Sequence, residues 1–294
     1  MCILYNYTVG KKNILIYGST GWLGRMTISY LKRHVDCKLT LVASRKKEFK
    51  VDGSIFESIS PSEFVEIKEQ SFDHYFNFAF LTQEKIKILG GKEYEKVTNS
   101  IISTESPFFE NNKINNAFLS SSGAVYWQDT TKNNLYTSQK LEQEKRFIKN
   151  SLKGDTNYLV GRIFGIIGNN YDFSKNYAFT DFIHLGMNSQ PITINSTKRV
   201  VRSYLYFENL LKFIIYGGKK NITFDAWDRN YDLIELAEII GNIFNVEVIV
   251  KPEYLKSTIL NEYISKRSSF DDYASFSITQ EDIRLAIFNG NTLS

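Results

Sequence analysis

The stretch ILIYGSTGWLG, residues 14–24, sets a short apolar run directly before three glycines spaced as G-x-x-G-x-x-G. From Trp22 to about His34, apolar residues recur at the spacing of a helix. The pattern therefore predicts a buried strand, a tight turn and a helix. Glycine allows the tight turn and lets the backbone come close to a ligand, and the free N–H groups at a helix start attract phosphate. We expect this turn to bind the pyrophosphate of a dinucleotide.

The same alternation of apolar runs and helical periodicity continues to about residue 165. Further strands are predicted at 38–44, 74–80, 116–122 and 158–164, and helices near 60–69, 84–104 and 136–152. Ser60, Pro61 and Glu63 have the order of a helix-capping box, and Gly90 and Gly91 mark a point where the long helix can break. Strands that are apolar on both faces are typical of a parallel sheet covered on both sides.

Beyond Gly165 the pattern loosens, and residues 166–200 are predicted to be loop. The later elements predicted are a helix at 207–218, a strand at 221–227, a helix at 232–244, a short strand at 246–250 and a final helix from about Thr279. The predicted fold class is α/β, a Rossmann-type doubly wound parallel sheet with a smaller C-terminal α/β domain. We expect residues 1–168 and 218–245 to form the dinucleotide-binding domain, and residues 169–217 and 246–294 to form a substrate domain.

The composition limits the class of protein. The 294 residues hold 36 Lys and Arg against 32 Asp and Glu, and this excess of 4 is too small and too dispersed for a nucleic-acid-binding surface. No run of 18 apolar residues and no secretory leader pattern occurs, so we expect neither a membrane span nor a signal peptide. Cys2 and Cys37 lack metal-ligand spacing, so we predict no metal site and a reducing, cytoplasmic location.

The residue about 20 positions after the glycines reports on the ribose of the dinucleotide. This position is Ser44, which opens the sequence SRKK at the end of the second predicted strand. No carboxylate is present there to accept hydrogen bonds from a free 2′-hydroxyl, whereas Arg45 can pair with a 2′-phosphate and Ser44 can donate to it. We therefore favour NADP(H) as the cofactor, and NAD(H) stays the alternative.

Two further motifs follow within the first 165 residues. SSSGAVYW, residues 120–127, ends a predicted strand at the edge where parallel sheets bind ligands. YTSQK, residues 136–140, places Tyr136 and Lys140 on one face of the helix that comes next. A nearby ammonium favours the phenolate, so a Tyr–Lys pair can serve in proton transfer.

GSTGWLG, SSSGAVY and YTSQK, in this order and at these separations, resemble the extended short-chain dehydrogenase/reductase family. They are most similar to its sugar-nucleotide epimerases, dehydratases and reductases. The resemblance implies that Ser122 is the catalytic hydroxyl and Tyr136 the acid/base, with Lys140 as its partner and as a contact of the nicotinamide ribose. It also implies a nucleotide-diphosphate sugar as the substrate, with Arg202 on the diphosphate.

The motifs and the resemblance together define two sets of predicted site residues. Cofactor binding is assigned to Gly18, Thr20, Gly21, Trp22, Leu23, Gly24, Ser44, Arg45, Ala79 and Lys140. Substrate binding is assigned to Ser122, Tyr136, Asp181 and Arg202. The resemblance further implies a homodimer in which the helices at 84–104 and 136–152 pair. Trp127 departs from the glycine that the family usually has after Val-Tyr.

The type of reaction is narrowed by what the motifs lack. The family's 4,6-dehydratases carry Asp-Glu after the catalytic hydroxyl, where this chain has Gly123 and Ala124, and the Cys and His of its fucose-synthase type are not matched. Reduction and epimerisation at C4 remain. Because SRKK favours NADPH, we expect reduction of the C4 ketone of a nucleotide-linked 4-keto-6-deoxy sugar, for surface polysaccharide or related glycan synthesis. An NAD-dependent 4-epimerase and a non-catalytic dinucleotide-sensing protein are the alternatives.

Overall fold

The computed structural model describes residues 10–127, 134–171, 177–265 and 278–288. The strands in these ranges are β1 (Lys12–Tyr17), β2 (Cys37–Val42), β3 (Lys47–Val51), β4 (Ser54–Ser58), β5 (Ser71–Asn77), β6 (Lys113–Ser122), β7 (Asn157–Ile163), β8 (Gly165–Ile167), β9 (Ile192–Ile194), β10 (Arg199–Tyr206), β11 (Ile222–Ala226), β12 (Arg229–Asp232), β13 (Val248–Val250) and β14 (Leu260–Tyr263). The helices are α1 (Trp22–His34), α2 (Pro61–Val65), α3 (Lys85–Leu89), α4 (Gly91–Ser103), α5 (Glu105–Asn111), α6 (Asn134–Lys153), α7 (Ala178–Met187), α8 (Phe207–Tyr216), α9 (Leu233–Phe244), α10 (Pro252–Lys256) and α11 (Gln280–Phe288), with a 3-10 turn at Gly123–Trp127.

The main sheet has six strands in the order β11-β7-β6-β5-β1-β2, and all of its neighbours pair in parallel. The chain passes from β1 to β2 on one side, and β5, β6, β7 and β11 then continue on the other side. The strand order therefore reverses beside β1. In sheets of this type, ligands bind in the crevice at such a reversal, beyond the carboxyl ends of the strands.

Helices cover both faces of this sheet, as the alternation along β1 shows. Ile14 and Ile16 point into a core that includes apolar side chains of α1 and α8. Leu15 and Tyr17 point to the opposite face, into a core shared with α2, α5 and α6. All four side chains are buried. The predicted parallel sheet, apolar on both faces, is therefore confirmed.

A third core lies in the later part of the chain and takes side chains from α7, α9 and α11. Around it β10 pairs with β12, β14 and β8, and β13 pairs with β9. Leu236 and Ile240 of α9 are buried here, whereas Leu210 and Phe213 of α8 are buried in the core of the main sheet. We therefore propose that α8 belongs with the dinucleotide-binding part and α9 with the substrate part, unlike the boundaries expected from the sequence.

Two local predictions, the capping box and the helix break, are confirmed, and a third, the loop at 166–200, is wrong. The capping box is present, with the Ser60 side chain accepting from the Glu63 backbone and the Glu63 side chain accepting from the Ser60 backbone. The long predicted helix breaks at Gly90, where φ is +77°. The prediction that 166–200 is loop is wrong, because β8, α7 and β9 form there. The helix α7 is stabilised by burying Phe179 and Ile183 in the third core, which outweighs the polar composition of the segment.

The sequence predicts neither a membrane-spanning segment nor a metal site. No helix among those residues is long and apolar enough to cross a membrane. The described part of the chain also contains no group of three or more His, Cys, Asp or Glu residues able to hold a metal ion. Cys37 is a free, half-buried thiol, and Cys2 lies outside the described residues.

Candidate active site

The glycine turn closes tightly between β1 and α1. Gly18 has φ of +87°, and a Cβ there would lie 2.8 Å from the backbone nitrogen of Ala79. A Cβ on Gly24 would overlap the carbonyl oxygen of Gly18. Both positions therefore require glycine for reasons within the chain itself.

Gly21 is different, because it is exposed and a Cβ there would meet only the oxygen of Gly18, at 3.4 Å. Gly21 is the N-cap of α1 and makes no side-chain capping bond, and the first turn of α1 carries no acidic residue. A helix start without a side-chain cap leaves its N–H groups free to bind an anion, and the helix dipole favours negative charge there. The start of α1 therefore fits a pyrophosphate.

The other predicted cofactor residues lie around this turn. Backbone N–H groups of Gly18 and Ser19 donate to the oxygen of Val42, at the end of β2, which places the exposed Ser44 and Arg45 just beyond the turn. Thr20, Trp22 and Leu23 belong to the turn and the start of α1, and Ala79 follows β5 on the neighbouring side. The indole N–H of Trp22 donates to the Asn169 oxygen at 2.7 Å. The structure therefore brings this predicted set together at the carboxyl ends of β1, β2 and β5.

Ser122 is the last residue of β6, and its hydroxyl has three partners. Its Oγ accepts from the backbone N–H of Ala124 at 3.2 Å and lies 3.3 Å from the phenolic oxygen of Tyr263. It also hydrogen-bonds the phenol of Tyr136. The predicted catalytic hydroxyl and the predicted acid/base are thus in direct contact, as the proposed chemistry requires.

The other two serines hold the strand end in place. The backbone oxygen of Ser120 accepts from Nζ of Lys140 at 3.0 Å. The Ser121 hydroxyl donates to the carboxylate of Glu144 at 2.5 Å, and Glu144 forms a two-point ion pair with Arg162 of β7 at 2.8 and 3.0 Å. These contacts tie the end of β6 to α6 and to β7. The sequence analysis left Ser120 and Ser121 without a specific role and did not single out Glu144 or Arg162.

Tyr136 is half-buried, and its ring stands edge-on to Phe80 at 5.8 Å. Burial raises the pKa of the Tyr136 phenol above its ordinary value of 10, and the hydrogen bond from Ser122 offsets only part of that rise. We expected the neighbouring ammonium of Lys140 to lower this pKa, but the pKa is raised, and Lys140 is not among the groups that act on the phenol. The resting phenol therefore carries its proton at neutral pH.

Lys140 is buried, with 5% of its surface exposed. Its Nζ donates to the oxygen of Ser120 and to Oε1 of Gln143 at 3.1 Å, and lies 3.9 Å from the centre of the Phe80 ring. Burial lowers the pKa of Lys140 to about 7, although the carboxylates of Glu144 and Glu105 act against this change. The buried lysine is therefore a weaker base than an exposed lysine.

Glu105 is a fully buried carboxyl behind Lys140 that sequence reasoning missed. Its Oε1 accepts from the phenol of Tyr75 at 2.7 Å and from the amide of Asn77 at 2.6 Å. Burial raises the pKa of Glu105 to about 7, an effect that these two hydrogen bonds and the charge of Lys140 reduce. Its position on a helix after several polar residues gave no signal that it is buried.

Gly123 leaves no space for a side chain, because a Cβ there would overlap the ring of Phe164. A carboxylate at this position, as in the 4,6-dehydratases of the resemblance, would therefore displace Phe164. The lack of a carboxylate at this position, from which we predict that the chain does not eliminate water, is therefore consistent with the local packing.

Four aromatic rings pack against one another in a cluster that reaches the serine through Tyr263. Trp127, which stands where the family usually has glycine, lies 5.0 Å from the ring of Tyr263, and Phe164 lies 5.2 Å from it. Tyr126 stacks on Phe164 at 6.4 Å and donates its hydroxyl to Asp225 at 2.6 Å. Trp127 thus adds an aromatic side chain to this cluster, at a position where glycine would leave none.

The two remaining predicted substrate residues are Arg202, which is held by Asn261, and Asp181, which lies on α7. The guanidinium of Arg202 donates to the backbone oxygen of Asn261 at 2.6 Å and to its side-chain oxygen at 3.1 Å. Arg202 is paired across the strands with Tyr263, the residue that contacts Ser122. Asp181 is exposed in the first turn of α7, and no contact in the described part of the chain joins its side chain to Ser122 or Tyr136.

Comparison with known proteins supports the fold. No protein-family model matches the chain, and no curated protein matches it in sequence. Among solved structures it is similar to UDP-glucose 4-epimerase from Thermotoga maritima, determined with UDP-glucose, with a TM-score of 0.70, 14% identity, and coverage of 94% of this chain and 97% of that chain. It is also similar to UDP-N-acetylglucosamine 4-epimerase from Methanobrevibacter ruminantium M1 in complex with UDP-N-acetylmuramic acid, with a TM-score of 0.71, 17% identity, and coverage of 95% and 98%.

A third solved structure, the complex of Thermus thermophilus UDP-glucose 4-epimerase with NAD, matches with a TM-score of 0.65, 13% identity, and coverage of 94% of this chain and 98% of that chain. The chain therefore shares the fold of these epimerases over nearly its whole length. The predicted fold class is confirmed, and the resemblance to sugar-nucleotide epimerases holds at the level of the fold.

Proposed function

We propose that the chain binds a nicotinamide dinucleotide and epimerises the C4 hydroxyl of a nucleoside diphosphate sugar. The observation that carries the proposal is the contact between Ser122 and Tyr136 at the end of β6, in the crevice that also holds the glycine turn. The solved structures that share the fold support the C4 position, because those described above are UDP-sugar 4-epimerases. The homodimer through α4 and α6 and the cytoplasmic location stay predictions.

The residues around the glycine turn fit the cofactor. Gly21 and the uncapped start of α1 would hold the pyrophosphate, and Ser44 and Arg45 would meet the ribose next to the adenine. When bound, the nicotinamide supplies the chemistry of taking up hydride from C4 and returning it.

The chain's own groups handle the proton. Ser122 hydrogen-bonds the C4 oxygen and holds it against Tyr136, which removes the proton of the C4 hydroxyl during oxidation and returns it during reduction. The raised pKa of Tyr136 suits it as a proton donor at rest. To accept the C4 proton during oxidation, the phenol must first release its own proton. Burial makes the resulting phenolate costly, and a protonated Lys140, one helical turn away on α6, would reduce that cost.

A 4-keto reductase that uses NADPH is the second candidate, and the sequence after β2 favours it. Arg45 is exposed beyond the end of β2, and no carboxylate takes the position of Ser44. An arginine there suits a 2′-phosphate, and an enzyme that takes NADPH from solution and releases NADP acts as a reductase.

A panel of nucleotide sugars and nucleotide 4-keto sugars separates the candidates. The epimerase proposal predicts that UDP-glucose and UDP-galactose, or their N-acetyl forms, interconvert with no net change in NAD(P)H, as followed by NMR of the anomeric proton. Stoichiometric consumption of NADPH with a 4-keto sugar would favour the reductase instead. Cofactor binding without turnover of any member of the panel would contradict both and favour the non-catalytic dinucleotide sensor.

A further inference from the structure

Tyr263 reaches the reaction centre from the far end of the chain. It is the last residue of β14, which pairs in parallel with β10 so that Tyr263 lies opposite Arg202. Its phenolic oxygen is 3.3 Å from Oγ of Ser122, although the two residues are 141 positions apart in the sequence. Sequence reasoning gave Tyr263 no role.

The ring of Tyr263 is clamped, so the position of its hydroxyl is defined by packing. Trp127 and Phe164 flank it with ring centres at 5.0 and 5.2 Å. Aromatic pairs at such distances add to the stabilisation given by the buried area alone. The presence of Trp127, where the resemblance leads us to expect glycine, supplies one of the two walls.

A count of donors and acceptors indicates what the contact does. A serine hydroxyl has one proton to donate and two lone pairs to accept with. One lone pair of Ser122 accepts from the N–H of Ala124 at 3.2 Å. If the phenol of Tyr263 donates to the other, both lone pairs are filled, and the single proton of Ser122 is left for Tyr136 or a substrate oxygen.

The surroundings of Tyr263 agree with a donor role. Burial raises the pKa of its phenol to about 12, so the phenol keeps its proton at neutral pH. The oxygen of Tyr263 also faces the backbone N–H of Ala124, so this N–H is shared between the two hydroxyls, and the phenol proton is available to point at Ser122.

We propose that Tyr263 is a positioning residue that fixes the direction of the Ser122 hydroxyl, so that its proton points at the C4 oxygen of the sugar. This inference rests on the proposed function for its consequence in catalysis. The hydrogen bond itself can be tested without any substrate.

The kinetic test compares Tyr263→Phe with a matched control, Tyr254→Phe. Tyr254 also belongs to the substrate part and donates its hydroxyl to Asp232 at 3.0 Å, away from Ser122. We expect Tyr263→Phe to lower kcat by about 10- to 100-fold, with KM within about 3-fold of wild type, because the ring stays and only the alignment of Ser122 is lost. Tyr254→Phe should keep the kcat of wild type.

A double-variant cycle separates positioning from a general structural role. If Tyr263 acts through Ser122, Tyr263→Phe should cause no further loss of kcat in a Ser122→Ala background. An equal loss of kcat in both backgrounds, or wild-type kcat in Tyr263→Phe, would overturn the proposal.

The NMR resonance of the Ala124 amide, observed with selectively ¹⁵N-labelled alanine, gives a readout independent of turnover. It should move in Tyr263→Phe and stay in place in Tyr254→Phe. An unmoved resonance in Tyr263→Phe would overturn the inference whatever the enzyme turns over. A moved resonance, in a protein that converts no nucleotide sugar, would support the hydrogen bond and contradict the proposed function alone.

Discussion

The ion pair between Arg162 of β7 and Glu144 of α6 holds the serine-bearing strand in register with its neighbours. The two side chains are 14% and 6% exposed, and their closest atoms are 2.8 Å apart. The same carboxylate accepts from Ser121, and Arg162 also donates to the hydroxyl of Tyr126 at 3.1 Å. Loss of one partner would leave a buried charge beside the predicted catalytic serine.

We predict that Arg162→Met lowers the free energy of unfolding by about 3–5 kcal/mol, because breaking a buried pair leaves an uncompensated charge. The control is Arg146→Met, which removes the exposed pair between Arg146 and Glu142, 44% and 39% exposed, on the same helix as Glu144. Its expected cost is about 0.3–0.5 kcal/mol, since solvent screens a pair of this kind.

Urea unfolding at neutral pH measures both variants, and a third variant tests the reason for the loss. Arg162→Met combined with Glu144→Leu removes both charges and should recover most of the stability lost in Arg162→Met alone. A loss below about 1 kcal/mol in Arg162→Met, or a double variant that is less stable still, would refute the reasoning. The first result would show that the carboxylate is well solvated, and the second that the packing around it matters more than its charge.

Three further predictions concern the cofactor turn, the ribose and the buried carboxyl. Gly24→Ala should lower both the melting temperature and the cofactor affinity, because its Cβ would overlap the oxygen of Gly18. Gly21→Ala should weaken cofactor binding and leave the melting temperature unchanged. An equal loss of melting temperature in the two variants would contradict this difference between the two glycines. Arg45→Ala should weaken NADP binding by about 10-fold and NAD binding by less than about 2-fold in titrations; equal weakening would remove the case for NADP. Burial raises the pKa of Glu105 from 4.5 to about 7, so this carboxyl binds more protons in the folded protein than in the unfolded chain between these values. Its contribution to the free energy of unfolding therefore falls as pH rises through that window, while buried His74, with a pKa lowered to about 4, contributes a rise. Glu105→Gln should remove most of this fall, as measured by urea unfolding at about pH 5 and about pH 8, and an unchanged slope would show that Glu105 does not titrate there.

Features carried by short stretches were predictable from the sequence. The strand, the glycine turn and α1 follow one another within 23 residues, and their pattern predicted the first crossover of the sheet. The capping box at Ser60 was also predicted, since its two hydrogen bonds join residues three apart. The contact between Ser122 and Tyr136 could be anticipated, because one ends a central strand and the other opens the helix that follows it.

Features set by distant contacts were missed. Tyr263 and Ser122 meet only because β14 pairs with β10, and no local period in the sequence announces that pairing. The burial of Glu105 depends on side chains of β5, some 30 residues away. The hairpin of β3 and β4 is a different case, because Asp52–Gly53 adopts positive φ at its turn and such a dipeptide is a recognised hairpin signal that we did not use.

The most direct test of the account is the turnover of Tyr136→Phe measured alongside its cofactor affinity. The hydrogen bond between Tyr136 and Ser122 involves the phenol hydroxyl, so the phenylalanine keeps the packing against Phe80 and loses the group that moves the proton. We predict that conversion of the nucleotide sugar falls by about 10²- to 10⁴-fold while the affinity for NAD(P) stays within about 2-fold of wild type. Conversion at the wild-type rate by Tyr136→Phe would contradict the assignment of the reaction centre.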